Sequence, residues 1–203
     1  MIEPLQEHFL RIMDYISKGG VVMYPLLGIS FLMWILIIEK AFFFRRLYYK
    51  NISRYEAVKF IINNKIPDPN MYRGITSALV RNFLSKRTGD KEIDGFIMDE
   101  VVIGIVASLD RHLKLIGVLA AIAPLLGLLG TVIGMIKTFD VISFFGTGNA
   151  KAMAGGISEA LITTQTGLMV AIPGVYMSNF LSTRAEKLKK RVSSVGIFLR
   201  RHV

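Results

Sequence analysis

The chain has 203 residues, 52% of them hydrophobic, which is more apolar surface than a soluble core of that size can bury, so a membrane is expected to take the excess. There is no cysteine, which excludes disulfides, thiolate metal sites and cysteine nucleophiles together. The net charge of +10 would suggest nucleic acid on a soluble chain, a reading that the placement of the charges removes below.

Residues 1–20 carry Ile2, Leu5, Phe9, Ile12, Met13 and Ile16 along one side. They predict an amphipathic helix at the outer membrane interface or, equally, a packed extension of the segment that follows. Glu3, Glu7 and Asp14 stand against Arg11 and Lys18, unlike the basic start of a removable signal, and the following segment is expected to be retained. That segment, Val21 to Ile38, has no charge, and apolar character resumes after Glu39-Lys40 through Phe44. Since roughly 20 apolar residues cross about 30 Å of hydrocarbon, 21–44 is the first membrane span.

Residues 45–114 read as a small cytoplasmic helical domain. Ile52, Tyr55, Val58, Ile61 and Ile62 recur at helical spacing, as do Ile75, Leu79 and Phe83 beyond the breaker Pro67-Asp68-Pro69. From Ile93 the series Phe96, Ile97, Val101, Ile105 and Leu109 runs toward the next apolar run with no Gly-Pro punctuation before it. A single helix from about Glu92 to Phe139, roughly 70 Å long at 1.5 Å per residue, is therefore expected to enter the second span, 115–139. Residues 140–154 form the outer turn. A third span at 155–183 runs on as a cytoplasmic helix over 184–203 through "RAEKLKKRV". Pro124 and Pro173 lie inside spans, where neighbouring helices offset the lost backbone bonds.

Orientation follows from Lys and Arg, which accumulate on the cytoplasmic side. Thirteen lie between Arg45 and Lys114, Lys50 among them, and seven follow Thr183, whereas the outer loop has only Lys137 and Lys151. The N-terminus is expected outside and the C-terminus inside. Topology and anionic head groups then account for the basic excess.

Two faces stand out within the spans. Ala160, Thr164, Gly167, Ala171, Gly174 and Ser178 step by four and three into one narrow stripe, and Ala120, Ala123, Gly127, Gly130, Thr131 and Gly134 make a comparable face. A small stripe packs helices or faces a shared axis, and the second use predicts an oligomer. Thr131 is the only polar side chain in its uncharged run, although a lone Thr can satisfy itself on its own helix. Glu159, with Thr163 and Thr166 on its face, is a carboxylate at the edge of hydrocarbon, a few kcal/mol unfavourable unless paired, protonated or hydrated. It reads either as functional or as a carboxylate stabilised near a helix N-terminus.

The segments "APLLGLLGTVIGMIKTF" (Ala123 to Phe139) and "GGISEALITTQTGLMVAIPGVYMSNFL" (Gly155 to Leu181) resemble the two signature segments of the ExbB/TolQ/MotA proton-channel family, most of all those of ExbB and TolQ. Gln165 stands where that family usually has a small residue. The resemblance implies an all-α, multi-pass protein of the bacterial inner membrane, N-terminus periplasmic and C-terminus cytoplasmic. It implies a homopentamer that encloses the helices of an ExbD- or TolR-like dimer and works through a TonB- or TolA-like protein, with no cofactor or metal. The family's pore threonines and glutamate fall on Thr131, Thr164 and Glu159. The stripe of Gly127, Gly134, Ala160, Gly167, Ala171, Gly174 and Ser178 would then face the channel, and the shuttling acid would belong to the partner. A MotA-type stator subunit would be expected to have four spans, and a non-conducting scaffold would tolerate loss of these residues. An enzyme is disfavoured, because His8, His112 and His202 are scattered and no nucleophile and base pair can be read.

Overall fold

The computed structural model describes residues 3–49 and 51–202, and within the first ten residues only the side chains of Glu7 and Leu10. Of the expected sequence features, Ile2, Lys50 and Val203 and the side chains of Leu5, His8 and Phe9 lie outside what is described. Seven α-helices follow in order: α1 Glu3–Lys18, α2 Met23–Tyr48, α3 Arg54–Ile62, α4 Ile75–Leu84, α5 Lys91–Asp110, α6 Leu113–Phe145 and α7 Ala150–Arg200. There is no strand among the described residues. Three helical stretches are long and apolar enough to cross a membrane, in Met23–Tyr48, in Lys91–Gly148 and in Ala150–Arg200.

Two compact units divide the chain, the first made of Met1–Ile37 with Leu115–Ser178 and the second of Ile38–Lys114 with Asn179–Val203. In the first unit Met23, Leu26, Met33, Ile116, Ala120 and Ala123 are fully buried. Along α1, Ile12 and Met13 are exposed and Ile16 is half-buried. The turn between α6 and α7 is tighter than the expected 140–154. Helix α6 runs on to Phe145, Gly146 turns the chain at φ +65°, and Asn149 restarts it by accepting the Ala152 N–H at 3.1 Å. A left-handed Gly ends one helix and an Asn caps the next, so only a short connection remains.

The second unit is organised by side chains that satisfy the ends of short helices. Ser53 and Glu56 form a reciprocal capping box at the start of α3. Helix α4 starts at Gly74 with no local cap, and Asn51 supplies one from a distance by accepting the Thr76 N–H at 3.0 Å. Asp90 caps α5 by accepting from Glu92 N and Ile93 N. Buried Asp94 then gathers the loop before α5. It accepts from Thr88 N at 2.8 Å, Thr88 Oγ1 at 3.0 Å, Gly89 N at 3.2 Å and Arg87 Nε at 3.2 Å, while Arg87 donates to the Ile61 carbonyl at the end of α3. Around this frame Phe44, Ile61, Leu79, Phe83, Met98 and Leu188 form the core.

The uninterrupted helix expected from Glu92 to Phe139 does not form. Helix α5 stops at Asp110, and His112 adopts φ +66° before α6 begins at Leu113. Neither Gly nor Pro marks this break, and a left-handed non-glycine residue costs about 1 to 3 kcal/mol unless its surroundings hold it. They do so here through long-range contacts. Asp110 accepts from Lys189 Nζ at 2.6 Å, and His112 Nδ1 lies 3.6 Å from Glu39 Oε2. The bond to Asp110, with a second to Glu186, raises the Lys189 pKa against the opposing effect of burial.

Burial pushes the Asp94 carboxyl up, but the hydrogen bonds from Thr88, Arg87 and Gly89 outweigh it and leave the group below the ordinary carboxylate value. A carboxyl that titrates lower when folded contributes stability that is complete above its unfolded pKa of about 4 and is lost as pH falls through the folded value. Asp94→Asn should therefore cost the second unit about 2 kcal/mol at neutral pH and flatten its acid dependence. Limited proteolysis of the loop before α5 across a pH series measures both, and equal slopes for variant and parent would contradict this assignment.

Candidate functional site

Helices α6 and α7 of the first unit meet through glycines. A Cβ placed on Gly127 would lie 3.1 Å from both the Thr163 carbonyl and the Thr164 Cα, and one on Gly167 would lie 2.8 Å from the Ala123 carbonyl. Further along, a Cβ on Gly134 would lie 2.6 Å from the Gly156 carbonyl and 2.8 Å from the Ala160 nitrogen. No side chain fits between the helices at these levels, so backbone touches backbone. In hydrocarbon, where burying apolar side chains against one another gains little, such contact is what holds helices together.

Much of the stripe packs within the chain. Gly127, Gly134, Ala160, Gly167, Ala171 and Gly174 are buried inside the single chain, the four glycines against its own neighbouring helices. A Cβ on Gly174 would meet Met33 Sδ of α2 at 2.5 Å and Ala120 Cβ at 3.0 Å. The stripe is occupied by packing within the chain, and its last member, Ser178, is half-buried beside Gly117.

The close approach gives Thr164 a partner across the interface. Its hydroxyl lies 3.3 Å from the Gly127 carbonyl and 3.2 Å from that of Ala160, one turn back on its own helix. Thr131 behaves differently, for its hydroxyl donates to the Leu128 carbonyl at 2.6 Å. Both threonines are half-buried, and no hydrogen bond joins Thr131 to Thr164 or Glu159 among the described residues. Thr163 is fully buried and bonds back to Glu159 and Ala160. Thr166 donates to Ile162 and lies 3.2 Å from the Tyr15 hydroxyl of α1.

Glu159 does not stand alone at the edge of hydrocarbon. Lys137 of α6 grips it with both carboxylate oxygens engaged, at 2.6 and 2.7 Å, and the carboxylate side chain is only 14% exposed. Helix α7 starts at Ala150, more than two turns earlier, so a helix N-terminus is not what stabilises this charge. Sequence reasoning left Lys137 as one of two loop cations. The signal was available, because a carboxylate at that depth needs a partner and only Lys137 and Lys151 lie in the outer segment.

A second missed element is the corner between α1 and α2. Gly20 sits at φ +64° with its backbone against the Glu159 carboxylate, and a Cβ there would overlap Glu159 Oε1. Glycine is needed at this position twice over, for its backbone angle and for the space it leaves. With Tyr15 beside Thr166 and Gly20 against Glu159, α1 and its corner lie along this face of α7.

The carboxylate is largely buried while the ammonium is about half exposed, so removing Lys137 leaves a buried charge short of its partner at about 1 to 3 kcal/mol, less than for a fully buried pair. Lys137→Met should thus destabilise the first unit more than the double variant Lys137→Met, Glu159→Gln, and a thermal double-mutant cycle in detergent reads the coupling. Additive effects would show that the pair is incidental.

Gly20→Ala should lower stability by about 1 to 3 kcal/mol through its backbone angle alone, with the added clash on Glu159 increasing the loss. Gly28→Ala on α2, where a Cβ would meet nothing within 4 Å, is expected to be neutral in the same thermal assay.

Comparison with known proteins places this pair of helices. Residues 63–194 match the model of the MotA/TolQ/ExbB proton channel family. The ExbB-like 1 biopolymer transport protein of Synechocystis is 37% identical over 92% of this chain and 76% of its own length. The ExbB-like 3 protein of the same organism is 30% identical over 79% of this chain and 80% of its own. The biopolymer transport protein ExbB of Aquifex aeolicus is 38% identical over 58% of this chain and 69% of its own.

Proposed function

Because the chain belongs to the MotA/TolQ/ExbB proton channel family, we propose that it is the wall subunit of a complex in the bacterial inner membrane driven by the proton motive force. In this reading it is a homopentamer around an ExbD- or TolR-like dimer and acts on the envelope through a TonB- or TolA-like protein. The N-terminus is periplasmic and the C-terminus cytoplasmic, in keeping with the basic residues that gather in 45–114 and after Thr183. The family is one of channels and transport subunits rather than of catalytic enzymes.

The observation that carries the reading is the juxtaposition, on the two signature helices, of a fixed ion pair at one end and an interhelical hydroxyl further in. Each charge that falls through 100 mV releases about 2.3 kcal/mol, and a path needs polar groups that pass a proton without trapping it. Thr164 can turn its hydroxyl from the Gly127 carbonyl toward water or a partner carboxylate, since it is half-buried and its bonds are long. Glu159, already neutralised by Lys137, acts as a charged collar at the outer end rather than as the shuttling acid. Thr131 serves as the second hydroxyl. Its 2.6 Å bond to its own helix favours the scaffold alternative, in which it only packs.

Native mass spectrometry of the purified chain should give a pentamer. Reconstituted with its partner in vesicles, Thr164→Val and Thr131→Val should retain the pentamer and lose most proton uptake under an imposed potential, while Thr183→Val, exposed and bonded to Asn179 of its own helix, keeps it. Pentamers of both channel variants that conduct normally would return these threonines to packing.

A further inference from the structure

In the second unit, three arginines converge on one cleft of about 470 Å³. Arg45 and Arg46 come from the last turn of α2 and Arg73 from the segment before α4, with Phe42 and Tyr49 completing the lining. Among the described residues none of the three forms an ion pair. The unit does not lack acids that pair elsewhere: Arg87 meets Asp94, Arg200 meets Asp99, Lys86 meets Glu100 and Lys189 meets Asp110. Like charges gathered in one concavity repel unless an anion joins them.

Arg45 and Arg46 alone would have ordinary explanations, a helix C-terminus that favours cations and proximity to lipid head groups. Neither explains Arg73, which belongs to a different element and adds a third cation to the lining of the same cleft. Guanidinium forks match phosphate oxygens two at a time. We propose that this cleft binds a phosphate group.

Two sources of that chemistry exist, a phospholipid head group and free phosphate, and the surroundings favour the first. A second cleft of about 370 Å³ adjoins, sharing Arg45 and Tyr49 and lined further by Phe44, Tyr48, Phe180 and Leu181. Arg184 also lines it, 4.7 Å from the Phe180 ring centroid and 5.7 Å from that of Tyr48. A basic cradle beside an apolar groove suits a phosphate that carries acyl chains. The site uses α2 as a span and does not depend on the conducting role of α6 and α7.

The test is native mass spectrometry of the full chain in mild detergent, titrated separately with dioleoyl phosphatidylglycerol, with dioleoylglycerol, which lacks the phosphate, and with inorganic phosphate. Phosphatidylglycerol should be retained and dioleoylglycerol not. Arg73→Gln should weaken binding about tenfold, Arg73→Lys by less, and Lys190→Gln, which removes a cation elsewhere in the unit, not at all. Inorganic phosphate bound through Arg73, with no gain from acyl chains, would support the site and assign it to the free anion. Equal binding of dioleoylglycerol, or equal effects of Arg73→Gln and Lys190→Gln, would overturn the proposal. All substituted side chains are exposed, and thermal unfolding verifies that each variant is folded. Loss of proton uptake with lipid binding intact would bear on the conducting role alone.

Discussion

Two helices in hydrocarbon gain little from pressing apolar side chains together, because lipid offers each the same contact. What α6 and α7 have instead is proximity, with Gly127, Gly134 and Gly167 facing backbone atoms of the opposite helix. The polar features of the first unit depend on that approach. Thr164 reaches the Gly127 carbonyl only because no side chain stands between them, and Lys137 meets Glu159 further along the same pair of helices. A larger residue at any of the three glycines would separate the helices and the groups they carry.

The second unit meets a different constraint, since its short helices each leave backbone groups unsatisfied at both ends. Its loops answer with polar side chains aimed back at the chain: Ser53 with Glu56, Asn51 on α4, Asp90 on α5, and Asp94 closing the loop before it. The first unit is held by the absence of side chains and the second by a few polar ones. This division matches their surroundings, for unsatisfied polar groups are costly in lipid and hydrogen bonding is inexpensive near water.

Membership of the MotA/TolQ/ExbB family gives this arrangement a context. The glycines that mark the family motif pack closely within the chain. Thr131 and Thr164, the hydroxyls that the proposed reading uses, stand half-buried beside them, with Glu159 held by Lys137 and Gly20 against its carboxylate.

From the sequence by itself came the three apolar helices, the helical segment around Pro67-Asp68-Pro69 and the family motifs, because membrane length, helical period and charge placement are local or compositional properties of the chain. Tertiary structure alone decided the break at His112, which no Gly or Pro announces and which Asp110 and Glu39 hold through partners far along the chain. It also decided that Lys137 belongs to Glu159, that Gly20 lies against that carboxylate, and which atoms of the neighbouring helices the glycines of the stripe meet. The physical reason is the same in each case. A helical period tells which residues share a face, but which face meets which neighbour is settled by pairwise contacts between residues remote in sequence.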